Sequence, residues 1–319
     1  MTGNLVPSLS LKDRAITPHL ALLAVQIMFG TWPILGKVVL RSVSSTSLIT
    51  LRVTGAAIAF LIMQGKLAQL RRMPRKHLAQ LLLCTLLGIV GNQFLYVSGL
   101  SLTTVINVAV LGTAIPVFTL MISIALGYDR PSFRRIFGIV LAASGVLYLV
   151  NPVRADFSSQ NTLGNLLVVG SSVSYGAYLA GSKGLVKRYG ALNVITWLFL
   201  LGAIITLPIG AHSLRTEHLS TFSSTLWLAV AYIIIVPTVG AYYLNAWALT
   251  RVTPSTVATY IYLQPLIAFG LAPILLGETW NTRTLVASLL IFGGVGIVTK
   301  RSRSQASKEV AERPEALSH

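Results

Sequence analysis

Residues 252–278 read VTPSTVATYIYLQPLIAFGLAPILLGE, and residues 103–129 read TTVINVAVLGTAIPVFTLMISIALGYD. Each stretch has threonine near its start, an apolar run with a proline in its middle, and a Leu-Gly pair followed by an acid. Pro116 and Pro265 stand 149 residues apart (265 − 116), as do Asp129 and Glu278 (278 − 129). Farther on, Gly145 and Gly294 are again 149 apart (294 − 145). One register that fits three landmarks across a helix, a loop and a second helix identifies two tandem repeats, each about half the chain.

The composition sets the class. Mean hydropathy is +0.74, and only 10% of the 319 residues are charged. Eight acids and 25 bases cannot supply the charged surface that a soluble core of this length needs. Long apolar runs between short basic loops mean a helical membrane protein. The net charge of +17 does not point to nucleic acid, because the bases sit in loops between spans. Cys84 is the single cysteine, so no intrachain disulfide forms. The first span follows Lys12 and Arg14, is too long for a signal peptide and lacks a small-residue cleavage site.

At about 20 residues per crossing, ten spans are expected: Pro18–Lys37, Ser45–Met63, His77–Val97, Thr103–Ala125, Phe133–Val150, Leu163–Ser182, Leu192–Ala211, Thr225–Ala248, Pro254–Leu276 and Thr284–Thr299. The expected fold is therefore an all-α membrane protein of ten transmembrane helices. Residues 1–17 form a cytoplasmic tail, 18–150 the first repeat, 151–162 an extracytoplasmic linker, 163–300 the second repeat, and 301–319 a polar tail expected to be disordered. Five spans per repeat is an odd number, so the second repeat enters the membrane from the opposite side, as an inverted repeat.

With the N-terminus in the cytoplasm, 19 bases fall in cytoplasmic segments and 5 (Lys37, Arg41, Arg154, Arg215, Arg283) on the far side, with Arg52 inside a span. The positive-inside rule then puts both termini in the cytoplasm.

A second echo joins the first and sixth spans. Phe29-Gly30-Thr31-Trp32 with Gly36-Lys37 matches Tyr175-Gly176-Ala177-Tyr178 with Ser182-Lys183, the glycines 146 apart (176 − 30). Glycine admits close helix approach, and Pro33 beside Trp32 frees a carbonyl. The same residues serve helix packing alone equally well.

These features together resemble a bacterial member of the drug/metabolite transporter superfamily, the EamA type. The resemblance rests on the early aromatic-Gly pair with Trp32, on Arg52 in the second span, and on the helices carrying Pro116 and Pro265. It also takes in the Leu-Gly-acid ends at Asp129 and Glu278 and the closing helices around Gly145 and Gly294. It covers about Pro18 to Lys300. It implies two inverted five-helix repeats, location in a bacterial inner membrane, and export of small metabolites, often amino acids. More narrowly, the chain is similar to the aromatic amino acid exporters of that family.

Polar residues at helical spacing form stripes. Thr256, Tyr260 and Gln264 lie on the ninth span, with Asn107, Leu111 and Ile115 as counterparts. Thr238, Tyr242 and Asn245 lie on the eighth, with Ile89, Gln93 and Tyr96 opposite and Asn92 one turn before Tyr96. Ser171, Tyr175, Tyr178 and Ser182 lie on the sixth. Hydrocarbon cannot satisfy amides and hydroxyls, so these faces turn to the bundle interior or to a wet cavity. The expected substrate lining is Trp32, Asn92, Tyr96, Asn107, Tyr175, Tyr178, Tyr242, Asn245, Tyr260 and Gln264, with Pro116 and Pro265 as the bending points. Rings with hydroxyls and amides suit a zwitterion with a variable side chain.

All eight acids and all five histidines sit in loops, tails or span edges. That removes a buried-carboxylate proton relay, the membrane glutamate of small multidrug antiporters, Asp-rich magnesium sites, and zinc or Ser-His-Asp sets. No cofactor, metal or enzyme activity is expected, and the partners are a small solute and the lipid bilayer. A cycle that is uncoupled or driven by the solute gradient fits this lack. Two alternatives remain open: transport of a phosphorylated solute such as a nucleotide sugar, for which Lys37, Lys183 and Arg52 are the candidate cations, and a membrane enzyme or assembly subunit.

Overall fold

The computed structural model describes residues 11–65, 73–126, 132–150, 159–217, 222–252 and 254–299. All its regular structure is helical, with no strand among the described residues. We label the segments α1 (Leu11–Val39), α2 (Ser45–Gln64), α3 (Arg75–Leu102), α4 (Val105–Ala125), α5 (Phe133–Val150), α6 (Gln160–Tyr189), α7 (Ala191–Thr216), α8 (Ser224–Leu249), α9 (254–276) and α10 (Thr282–Thr299). Seven are long and apolar enough to cross a membrane, and three shorter apolar stretches lie at Ile136–Leu149, Tyr260–Leu276 and Thr282–Gly294.

The helix ends follow local chemistry. Ser44 Oγ accepts from Ser47 N at the start of α2, Thr104 Oγ1 from Asn107 N at the start of α4, and Ser223 Oγ from Leu226 N at the start of α8. Each supplies an acceptor to a helix N–H that has no carbonyl four residues back. Gly277 ends α9 in the left-handed region (φ 69°), where a side chain costs energy and glycine does not. Helices α3, α6 and α7 run several residues past the spans read from hydropathy, because backbone hydrogen bonding continues beyond the apolar stretch.

Two helices carry a π-helical turn, at Leu86–Gly91 in α3 and Ile234–Gly240 in α8. Gly91 and Gly240 are 149 apart (240 − 91). Pro237, inside the second turn, lacks the N–H that an α-helical ladder requires. A π turn shifts the phase of the residues after it. Those residues are Asn92 and Gln93 in α3, and Ala241 and Tyr242 in α8.

The two proline helices break as well. In the fourth, α-helix ends at Gly112, a turn takes Thr113 and Ala114, and a second helix begins at Ile115 with Pro116 in its first turn. In the ninth, a 3-10 turn at Tyr260–Leu263 precedes a helix that begins at Gln264, with Pro265 in its first turn. Proline tolerates the first turn of a helix and disrupts its interior, so each break comes just before the proline.

The packing contacts recur in the register of the sequence. A Cβ on Gly30 would meet Ile267 of α9, and one on Gly176 would meet Phe118 and Thr119 of α4. Gly145 sits against Ala287, Leu290 and Ile291 of α10, and Gly294 against Gly138 and Ala142 of α5. Lys37 Nζ donates to the carbonyls of Leu100 (2.8 Å) and Ser101 (3.1 Å) in the last turn of α3 and of Thr103 (2.7 Å) just past its end. Lys183 Nζ donates to the carbonyl of Val252 (3.2 Å), past the end of α8. In both cases an ammonium is held by backbone carbonyls at or just beyond the C-terminal end of a helix, where the helix dipole is negative. Glu278 joins the halves, its two carboxylate oxygens accepting from Val105 N (2.7 Å) and Ile106 N (3.0 Å) at the start of α4. Its sequence counterpart Asp129 lies outside the described residues, as do residues 1–10, the basic loop at 66–72, most of the expected linker and the tail from Lys300.

Candidate functional site

A cavity that opens to solvent lies among α1, α2, α3, α4, α6, α8 and α9. It is bordered by Gln26, Phe29, Trp32, Arg52, Asn92, Gln93, Tyr96, Val108, Gly112, Ile115, Ser171, Ser172, Tyr175, Leu179, Tyr242, Asn245, Val257, Ile261 and Gln264. Seven of the ten expected lining residues therefore come together here: Trp32, Asn92, Tyr96, Tyr175, Tyr242, Asn245 and Gln264.

The other three go elsewhere, each for a local reason. Asn107 belongs to a buried polar knot between α4, α6 and α10. Its Nδ2 donates to Thr103 Oγ1 and Asn165 Oδ1, both at 3.3 Å, and its Oδ1 accepts from Thr284 Oγ1 at 3.3 Å. The Tyr178 ring packs against Gly88, where a Cβ would collide with it, so the missing side chain of Gly88 makes the space that ring fills. Tyr260 and His19 are hydrogen-bonded, hydroxyl to Nδ1, at 2.7 Å. Tyr260 opens the 3-10 turn. Four residues at three per turn advance the chain roughly 80° further than an α-helix does, so Tyr260 leaves the face that carries Gln264.

The border is built from register pairs. Gln26 and Ser172, and Phe29 and Tyr175, differ by 146 (172 − 26, 175 − 29). Gln93 and Tyr242, Tyr96 and Asn245, Val108 and Val257, Gly112 and Ile261, and Ile115 and Gln264 differ by 149 (242 − 93 and likewise). Pairing an amide with a phenol in two cases makes the lining geometrically paired and chemically unequal. Gln26 and Ser172 are polar border residues that lie outside the stripes and the lining expected from the sequence, and Arg52, Gln93 and Ser171 join the border without being in that expected lining. Gln26 shares the α1 face of Phe29, and its 146 register to Ser172 was the available signal.

One directed hydrogen-bond chain crosses the cavity wall. Thr238 Oγ1 donates to Ile233 O (2.7 Å) inside the π turn, so its oxygen is left to accept from Arg52 Nε (3.2 Å) and Nη2 (3.0 Å). Arg52 Nη1 donates to Gln93 Oε1 (2.8 Å), and Gln93 Nε2 donates to the Tyr242 hydroxyl (2.9 Å). That hydroxyl donates to Asn92 Oδ1 (3.4 Å), and Asn92 Nδ2 donates to the Ser171 carbonyl (3.2 Å). Beside it, Asn245 Nδ2 donates to the Tyr175 hydroxyl (3.0 Å), and Gln264 Nε2 to Gln26 Oε1 (2.7 Å).

The rings are equally ordered. Arg52 lies 3.7 Å from the Trp32 ring centroid, a cation–π distance, and Trp32 stacks with Tyr96 at 6.3 Å. Phe29, Tyr175 and Phe199 meet Tyr242 edge-on at 5.7, 6.3 and 5.1 Å. Lys37 and Lys183, the other candidate cations, are held at the helix ends and do not border the cavity. Among the described residues no group of His, Cys, Asp or Glu could hold a metal ion. The arrangement can enclose a small solute and offer it ring faces, amides, hydroxyls and one guanidinium.

A family model described as "EamA-like transporter family" matches residues 16–151 and 162–300. An uncharacterized transporter of Archaeoglobus fulgidus is 29% identical over 227 residues, covering 70% of this chain and 76% of that one. A probable terminal-alkyne amino-acid exporter of Streptantibioticus cattleyicolor is 25% identical over 254 residues, covering 79% and 82%. The uncharacterized transporter YetK of Bacillus subtilis is 20% identical over 305 residues, covering 95% and 92%. A crystal structure with 20% sequence identity has the same fold, at a TM-score of 0.64 over 90% of this chain and 97% of that one. The apolar helices, the central cavity and a match that runs over most of the chain make this a multi-pass membrane protein that belongs to the EamA-like transporter family.

Proposed function

We propose that this protein exports small metabolites, amino acids with aromatic and other side chains first among them, by alternating access. In this reading ten spans form two inverted five-helix repeats, with both termini on the cytoplasmic side of a bacterial inner membrane. The two halves rock about the central cavity. The observation that carries the reading is the border of that cavity, in which residues from matching places of the two halves face one another. The reciprocal contacts of Gly30 and Gly176, and of Gly145 and Gly294, support the same relation. The naming of one relative as a probable amino-acid exporter supports the solute class.

Seven polar or aromatic residues would hold the solute: Trp32, Asn92, Tyr96, Tyr175, Tyr242, Asn245 and Gln264. Rings accept many apolar side chains, and amides orient polar ends through both donors and acceptors. A phosphorylated solute fits less well, because two of its three candidate cations stay bound to backbone carbonyls away from the cavity border. No carboxylate borders the cavity among the described residues, which favours a cycle without a proton relay.

Counterflow of a labelled amino acid panel into liposomes holding the pure protein tests the reading. Uptake of the labelled amino acid into liposomes preloaded with the unlabelled one is expected with or without a pH gradient. Absence of flux for every amino acid sinks the solute class, and strict dependence on an imposed proton gradient sinks the uncoupled cycle.

A further inference from the structure

We propose that Arg52 is the anchor for a carboxylate of the transported solute, so that the cavity selects carboxylates over amides and amines of the same shape. This rests on the transport reading for its biological meaning, and on the geometry of Arg52 for its chemistry.

Arg52 is 1% exposed to bulk solvent and borders the cavity. A guanidinium has five N–H groups. Three hydrogen bonds, two to Thr238 and one to Gln93, leave two of the five without an acceptor among the described residues. Every partner is neutral: a hydroxyl oxygen, an amide oxygen and the Trp32 ring at 3.7 Å. No Asp or Glu borders the cavity among the described residues. A buried cation held in place by neutral groups and not neutralised carries a large desolvation cost. A carboxylate that enters the cavity supplies the missing charge and can take both open N–H groups, in the planar match that favours arginine over lysine.

The partners also preset the fork. Thr238 gives its proton to Ile233 O, and Gln93 gives its N–H to Tyr242. Both therefore turn oxygens toward Arg52, and the guanidinium is oriented before any solute arrives.

Packing does not demand the residue. Helices α2 and α7 begin 146 residues apart (191 − 45) and pack on each other. Thr50 and Thr196 back-bond to Thr46 O and Leu192 O in that register. In the same register Arg52 corresponds to Leu198 (198 − 52), which is fully buried. A leucine fills the equivalent place in the second half, so the charge is a one-sided feature of a paired cavity.

The test uses the full chain in detergent and three ligands of matched shape: 3-phenylpropanoate, 3-phenylpropanamide and 3-phenylpropylamine. Affinity is read from the ligand-dependent shift of the thermal unfolding midpoint. A charge-assisted contact of this kind should make the carboxylate bind about ten-fold or more tighter than the amide and the amine. Arg52→Gln should bind carboxylate and amide alike. If that variant does not fold, the wild-type comparison decides alone. Equal binding of carboxylate and amide to the wild type overturns the proposal, as does tighter binding of the amine, a preference that survives in Arg52→Gln, or no binding of the carboxylate at millimolar concentration. Liposome flux separates the two readings: carboxylate preference without flux sinks transport and keeps the anchor, and flux without carboxylate preference does the reverse.

Discussion

Asn245 and Tyr178 show how two side chains that read alike in sequence separate once the backbone is placed. Both stand on polar stripes of apolar helices. Asn245 borders the cavity and donates to Tyr175. Tyr178, 2% exposed, is wedged between Gly88 and the Tyr175 ring at 5.4 Å. Asn245→Ala should lower flux at near wild-type membrane levels and lower the unfolding midpoint less than Tyr178→Ala does, because it removes one hydrogen bond and not a buried ring. Tyr178→Ala removes a large buried ring and should destabilise the protein by about 3 kcal/mol or more, read as a fall in the unfolding midpoint in detergent. An Asn245→Ala protein with unchanged flux would remove that residue from the solute site. A Tyr178→Ala protein with an unchanged midpoint would contradict the packing role.

At the scale of the element, the helix ends and breaks carry the consequences. Glu278 accepts two N–H groups at the start of α4 from a position just after α9. Loss of such a cap costs about 1 kcal/mol. Glu278→Ala should therefore lower the unfolding midpoint, and Glu278→Gln, which keeps an acceptor, should lower it less; equal midpoints for all three proteins would show the cap to be idle. The breaks before Pro116 and Pro265 place irregular backbone beside Ile115 and Gln264, both on the cavity border. If these breaks bend during the cycle, Pro265→Ala should slow turnover and leave solute affinity unchanged, since alanine restores an N–H to the ladder. Unchanged turnover in both Pro265→Ala and Pro116→Ala would remove the prolines from the mechanism.

For the whole molecule, the charge of the loops sets the orientation. Nineteen bases against five predict that Ser159 faces the periplasm and Gln69 the cytoplasm. Cys84 is buried, so a Cys84→Ala background permits single-cysteine labelling at each site. A membrane-impermeant maleimide applied to intact cells should modify Ser159→Cys and spare Gln69→Cys. The reverse pattern would invert the topology, and equal labelling would change the number of spans between the two positions.

Hydropathy and composition determined the helical membrane class, and the 149-residue register marked positions that the structure brings to one cavity border. Each of these depends on composition and spacing along the chain, which the sequence carries directly. Seven of the ten residues named from the sequence border the cavity, because side chains at helical spacing share a face wherever the helix is regular. Tertiary structure alone decided the rest. The 3-10 turn moved Tyr260 off its stripe, Gly88 opened a slot that took Tyr178, and Asn107 found partners on α6 and α10. The same holds for the cluster at Arg52, where Trp32, Gln93 and Thr238 converge from three other helices. Such contacts join residues as far as 186 positions apart in sequence. They depend on helix phase, which π and 3-10 turns alter, and on which neighbour lacks a side chain, and neither is encoded in the local pattern of apolar and polar residues.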